Sequence, residues 1–152
     1  PTIALAWKAH GGSRRFAWPP GEGTRVSRKV LDRYFEALRS QDWESLGACL
    51  AEDVLRTGPY LDAVRGKEAY VEFLAGVIPT LLNYELELHE VRPLKGGSAL
   101  ALLSEILDRD GVQTEFPEAL VFDFDDAGLI QAVDIYIKQP PRVRAEEGEG
   151  SE

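Results

Sequence analysis

The sequence predicts an α+β domain in which three N-terminal helices pack on a curved antiparallel sheet, leaving a pocket between the layers. Three observations carry this. Apolar residues recur at helical spacing as far as Pro79 and alternate after Asn83. Turn signals at Lys95-Gly96-Gly97, Asp110-Gly111 and Asp125-Asp126-Ala127-Gly128 then divide the second half into strands.

Each element has its own signature. Val26, Val30, Tyr34, Ala37 and Leu38 fall on one face of a helix over 25–40, capped by Thr24 or Ser27. Asp42 caps a second, short helix that turns Trp43, Leu46, Cys49 and Leu50 inward. Asp53-Val54-Leu55-Arg56 leads out as a brief strand to a turn at Gly58-Pro59. A third helix follows Gly66 with Ala69, Tyr70, Phe73, Leu74 and Val77 on one side, and Pro79 ends or kinks it. Strands follow at 83–93, 98–109, 112–124 and 129–138. Asp110-Gly111 is the sharpest hairpin signal, because a two-residue I′ turn needs positive φ at both positions. Such a turn pairs Leu103 with Glu118 and Glu105 with Phe116.

The 152 residues suffice for one hydrophobic core. The expected divisions are an irregular extension over 1–23 that carries Trp7, Phe16 and Trp18, a domain over 24–140, and an acidic disordered tail over 141–152. A net charge of −9 repels phosphate backbones and anionic headgroups, so neither nucleic acid nor a membrane is expected as a partner. The single cysteine, Cys49, reads as a core residue in a reducing compartment, and cytoplasmic localisation is expected. With His10 and His89 its nearest companions in kind, it forms no set of metal-ligand spacing, and neither metal nor cofactor is implied.

The run Asp32-Arg33-Tyr34-Phe35-Glu36-Ala37-Leu38, then Asp42-Trp43-Glu44, Leu50-Ala51-Glu52-Asp53-Val54, Gly58-Pro59 and Gly66-Lys67-Glu68-Ala69, resembles the opening of nuclear transport factor 2-like proteins. Phe124-Asp125-Asp126-Ala127-Gly128-Leu129-Ile130 and Asp134-Ile135-Tyr136 resemble their last hairpin, so the likeness spans about residues 26–138. It lies with the SnoaL-like and ketosteroid isomerase-like branch, and implies a cone-shaped α+β barrel with an internal pocket but no particular reaction. Of the ketosteroid isomerase residues, the helical tyrosine matches Tyr34, while the base falls on Gly58 and the protonated acid on Leu120. The strand residues of limonene epoxide hydrolases fall on Ile106, Asp108 and Ile135, of which Asp108 alone keeps its character. Ordinary ketosteroid isomerase activity is therefore not expected.

Strand parity proposes a site of its own. Glu118 interrupts an otherwise apolar face shared with Phe116, Leu120 and Phe122, and Glu105 does the same between Leu103 and Leu107. The hairpin sets the two carboxyls one diagonal step apart on that face. Leu103, Leu107, Phe116 and Leu120, with Val133 and Ile135 of the last strand, are the expected pocket lining. Two carboxyls facing an apolar cavity cannot both ionise cheaply, and a shared proton suits general acid/base catalysis. Arg56 has the parity to face the same cavity, either neutralising a glutamate or, with Tyr34, polarising a substrate oxygen. A bulge at Pro117 would instead turn the glutamates outward.

Elsewhere, His89 falls with Glu85 and Glu87 on a polar face and reads as solvated, Asp108 as exposed, and Asp134 and Tyr136 as belonging to a subunit contact. The expected function is a small-molecule pocket protein, an acid/base isomerase, dehydratase, cyclase or hydrolase of a mostly apolar substrate, with Glu118, Glu105, Tyr34 and Arg56 as catalytic residues. The alternative is a non-catalytic domain that binds a small apolar organic ligand or dimerises. Leu100, Leu102 and Ile106 on the opposite sheet face need cover, which predicts a homodimer.

Overall fold

The structure, a computed structural model, describes residues 22–141, with side chains from Ser27 onward. The expected extension up to 21, including Trp7, Phe16 and Trp18, and the tail from 142 lie outside the described residues. Helix α1 runs Glu22–Ser40, so Thr24 and Ser27 sit inside the helix and not at its cap. Asp42 caps α2 (Trp43–Ala48) by accepting from the Ser45 N–H at 3.2 Å. Strand β1 (Leu50–Thr57) is longer than expected, and a three-residue strand β2 (Ala63–Arg65), which no alternation announced, pairs back on it. Helix α3 (Lys67–Val77) passes into a 3₁₀ turn at Ile78–Thr80, where Pro79 denies the α-ladder a donor. Tyr70 and Leu74 are its buried residues, while Ala69 and Val77 are exposed, so its inward stripe is narrower than the spacing implied.

The remaining strands are β3 (Glu85–Pro93), β4 (Ala99–Arg109), β5 (Val112–Phe124) and β6 (Ile130–Ile137). The sheet has six strands in the order β2-β1-β6-β5-β4-β3, curved and unclosed. The meander β3 to β6 is antiparallel as expected, but β1 joins β6 in parallel, Arg56 beside Val133 and Thr57 beside Asp134. That pairing crosses some 75 residues of chain, a span over which local alternation carries no information. Asp110 (φ 52°) and Gly111 (φ 77°) both take positive φ, as the tight β4–β5 turn demands.

Leu31, Tyr34, Phe35 and Leu38 of α1 pack with Leu46, Tyr70 and Leu74 against Ala101, Leu103, Leu120, Phe122 and Val133 of the sheet. Phe122 is the hinge of this core, with its ring edge-to-face on Tyr34 (5.5 Å between centroids) and on Phe35 (5.9 Å). Cys49 is buried in the same cluster, which pushes its thiol pKa up and fits its expected place in the core. Among the described residues no helix is long and apolar enough to cross a membrane.

Candidate functional site

The site grows from the β4–β5 ladder. Its register is unbroken from Ala99↔Phe122 to Arg109↔Val112, with Leu103 opposite Glu118, Glu105 opposite Phe116 and Ser104 opposite Pro117. Pro117 therefore causes no bulge, and both glutamates stay on the face of the core residues Leu103 and Leu120. Glu118 is buried, with Ile137 on its other flank.

Burial decides the electrostatics of the pair. It is the leading cause that pushes Glu118 up to about 9, with the charge of Glu105 pushing the same way. Glu105 is also raised by burial, but hydrogen bonding from Glu118 and Tyr84 and the Arg56 charge oppose the rise. Burial and mutual repulsion thus both favour a proton shared within the pair. Tyr84, just ahead of β3, turns its hydroxyl into this space. Burial, then the two carboxylates, push its pKa up, and the hydroxyl meets no partner at full hydrogen-bond geometry.

Tyr34 reaches the site from α1, but its hydroxyl is not idle. It lies 2.6 Å from the Tyr70 hydroxyl of α3, with both rings buried. Desolvation raises both phenols, Tyr34 well above its ordinary value and Tyr70 to about 12, so both remain neutral donors. Arg56 of β1 is 8% exposed, stacks its guanidinium 4.5 Å above the Phe73 ring, and has no hydrogen-bond partner for Nε or Nη1. Its ion-pair contact is with Asp62, at 3.7 Å from Nη1, and not with either glutamate. Its charge still reaches the pair and both tyrosines, lowering each pKa somewhat.

The expected lining residues divide. Leu103, Leu120 and Val133 are closed into the core, while Leu107 and Phe116 are half-buried and Arg109 stacks 5.2 Å above Phe116. A cavity of about 200 Å³ lies where β1 leaves β6, between Thr57–Leu61 and Asp134–Ile137. It takes in Ile135 from the expected lining, and meets the glutamates only through Ile137, the cross-strand neighbour of Glu118. Asp134 and Tyr136, expected at a subunit contact, border this cavity.

His89 departs from its expected solvated place. A register shift between Leu88 and Glu90 rolls it over the sheet, where its Nε2 lies 3.0 Å from the Ser104 hydroxyl, which in turn donates to Glu115 at 2.8 Å. It is held in a polar cluster on the outer face and is not simply solvated. Asp108 is half-buried and accepts from the Asn83 amide at 2.6 Å. Sequence reasoning missed Tyr70, Tyr84 and Asp62 as members of the site. Tyr84 shares the parity of Leu86, which could have placed it inward, and Tyr70 was legible as core alone. Asp62 sits in a loop where no periodicity applies.

The model of the SnoaL-like domain family matches residues 31–133. Among solved structures, the chain is similar to an LEH-like epoxide hydrolase from Mycobacterium tuberculosis (TM-score 0.63, 19% identity, 75% of this chain and 84% of that one). It is similar to Bal32a from a soil-derived mobile gene cassette (TM-score 0.68, 16% identity, 78% and 93%). A third is Rv0760c from Mycobacterium tuberculosis, solved with estradiol-17β-hemisuccinate (TM-score 0.62, 21% identity, 73% and 92%). At these identities the likeness is one of fold. No curated protein sequence matches.

Proposed function

The chain belongs to the SnoaL-like domain family of the nuclear transport factor 2-like superfamily, and on that premise we propose that it is an acid/base enzyme acting on a small, mostly apolar organic molecule. One observation supports this above the rest: Glu105 and Glu118 lie on the same core-facing side of the β4–β5 ladder, and the ion-pair partner of Arg56 is Asp62 and not either glutamate. Glu105 accepts a proton from the substrate or from an attacking water, and Glu118 delivers its own to a substrate oxygen or carbon. The donors of Arg56 and the Tyr34–Tyr70 pair stabilise an oxygen that gains charge. This pattern serves isomerisation, dehydration, cyclisation or hydrolysis, and the apolar neighbours of the pair, Leu103, Phe116 and Leu120, favour an apolar substrate. The single buried thiol suits the cytoplasm, and the −9 charge argues against nucleic-acid and membrane partners.

The test uses two apolar epoxides, styrene oxide and trans-stilbene oxide, for hydrolysis, with Glu118→Gln and Glu105→Gln as variants. Turnover of either compound that falls about 100-fold or more in both variants supports the reading. Turnover that both variants leave intact overturns it. A second reading, a non-catalytic binder of an apolar ligand that dimerises, draws on the cavity beside Ile135 and on Tyr136, which stands 63% exposed on the outer sheet face. In either reading we propose a homodimer formed through that face, with Leu100, Leu102 and Ile106 at its centre.

A further inference from the structure

The loop after β1 folds back on itself at Gly58. The Gly58 N–H donates to the Asp62 carbonyl at 2.8 Å, the Leu61 N–H donates to the Gly58 carbonyl at 3.1 Å, and the Tyr60 N–H donates to Asp62 Oδ1 at 3.3 Å. This lays the Asp62 carboxylate over Gly58, in the space a side chain at 58 would occupy, where an added Cβ would run into both carboxylate oxygens. The other carboxylate oxygen, Oδ2, faces Arg56 Nη1 at 3.7 Å. Nothing else polar holds the guanidinium on that side, since Nε and Nη1 make no hydrogen bond and Phe73 offers only its ring face.

Arg56 is therefore in contact with one carboxylate, that of Asp62, while its charge also acts on the carboxyls of Glu105 and Glu118. A buried guanidinium with unsatisfied donors gains from closing on a carboxylate, and closing on the glutamates would drive the shared proton off the pair. We propose that Asp62 is a positioning residue: it holds Arg56 at the rim of the site and so keeps the guanidinium from closing on Glu105 and Glu118. Gly58 belongs to the device, because the absence of a side chain there makes room for the Asp62 carboxylate. The inference rests on the acid/base reading above and names what keeps that acid protonated. Among the described residues the groups whose charge or hydrogen bonding reaches the pair are Tyr84 ahead of β3, Arg56 on β1 and Tyr34 on α1, and of these Arg56 is the one cation.

The experiment is a carbon-13 NMR titration of the glutamate carboxyls, assigned with Glu118→Gln and Glu105→Gln, in the full chain and in Asp62→Asn, Gly58→Ala, Arg56→Met and Asp62→Asn with Arg56→Met. Asp62→Asn removes the outer charge, and Gly58→Ala keeps it but pushes it aside. Both should lower the Glu118 pKa by about one unit or more, and the effect of Asp62→Asn should vanish when Arg56 is methionine. If both variants titrate as the unaltered protein does, the inference fails while the acid/base reading stands. An Asp62→Asn effect of equal size without Arg56 also overturns it, since the aspartate would then act through space alone. Should Arg56→Met not fold, the Arg56 Nε–H resonance decides. It should move on Asp62→Asn as the guanidinium gains a carboxylate partner, and an unmoved resonance sinks the proposal. A Glu118 of ordinary carboxylate pKa in the unaltered protein overturns the acid/base reading and this inference with it.

Discussion

The hydroxyls of Tyr34 and Tyr70 meet at 2.6 Å across 36 residues of sequence, joining α1 to α3 inside the core. Each phenol satisfies the other, so loss of one leaves a buried polar atom unpaired. Tyr34→Phe and Tyr70→Phe should each cost about 1–3 kcal/mol of unfolding free energy. The double variant should cost less than the two together, by about 1 kcal/mol. Denaturant melts of the four proteins measure this, and strict additivity would show that the hydroxyls do not interact.

Stability should depend on pH through Glu118. Its folded pKa of about 9 lies above the unfolded value, which is about 4.3. Below the unfolded value both states hold the proton and the contribution is complete. As pH rises through the window between the two values, the unfolded chain releases its proton first, so stability is lost until the folded carboxyl also ionises. Glu118→Gln removes the titrating group. Its stability relative to the unaltered protein should rise between about pH 5 and about pH 8, by up to about 1.4 kcal/mol per unit. A difference that stays constant across that range would mean that Glu118 is solvated.

Phe122 touches both Tyr34 and Phe35 and is fully buried. Phe122→Ala should cost about 3–5 kcal/mol, through lost burial and the cavity left where helix and sheet meet. Chemical denaturation reads the loss directly, and a cost under about 1 kcal/mol would mean that the contact between the layers is loose.

The proposed homodimer puts Leu102 at the centre of an interface. Leu102 pairs with Ala119, whose other neighbour is the exposed Tyr136. A charge at this point cannot be buried cheaply. Light scattering at tens of micromolar protein should find a dimer, and Leu102→Glu should yield a folded monomer. A monomeric unaltered protein refutes the interface.

The order of the three helices and of the four strands after them, the β4–β5 register and the inward face of Glu105 and Glu118 are legible in the chain's own pattern. All of these follow from short-range rules. Side-chain direction alternates along a strand, and a two-residue turn at Asp110-Gly111 leaves no freedom in how the flanking strands pair. A tertiary structure was required for the parallel joining of β1 to β6, the Tyr34–Tyr70 contact, the rolling of His89 onto Ser104 and the Asp62 carboxylate laid over Gly58. Each of these brings together residues whose local patterns are silent about one another. It decided Arg56 as well: parity turned the side chain inward, but whether it closes on the glutamates or on Asp62 depends on competing charges that meet only once the loop has folded back.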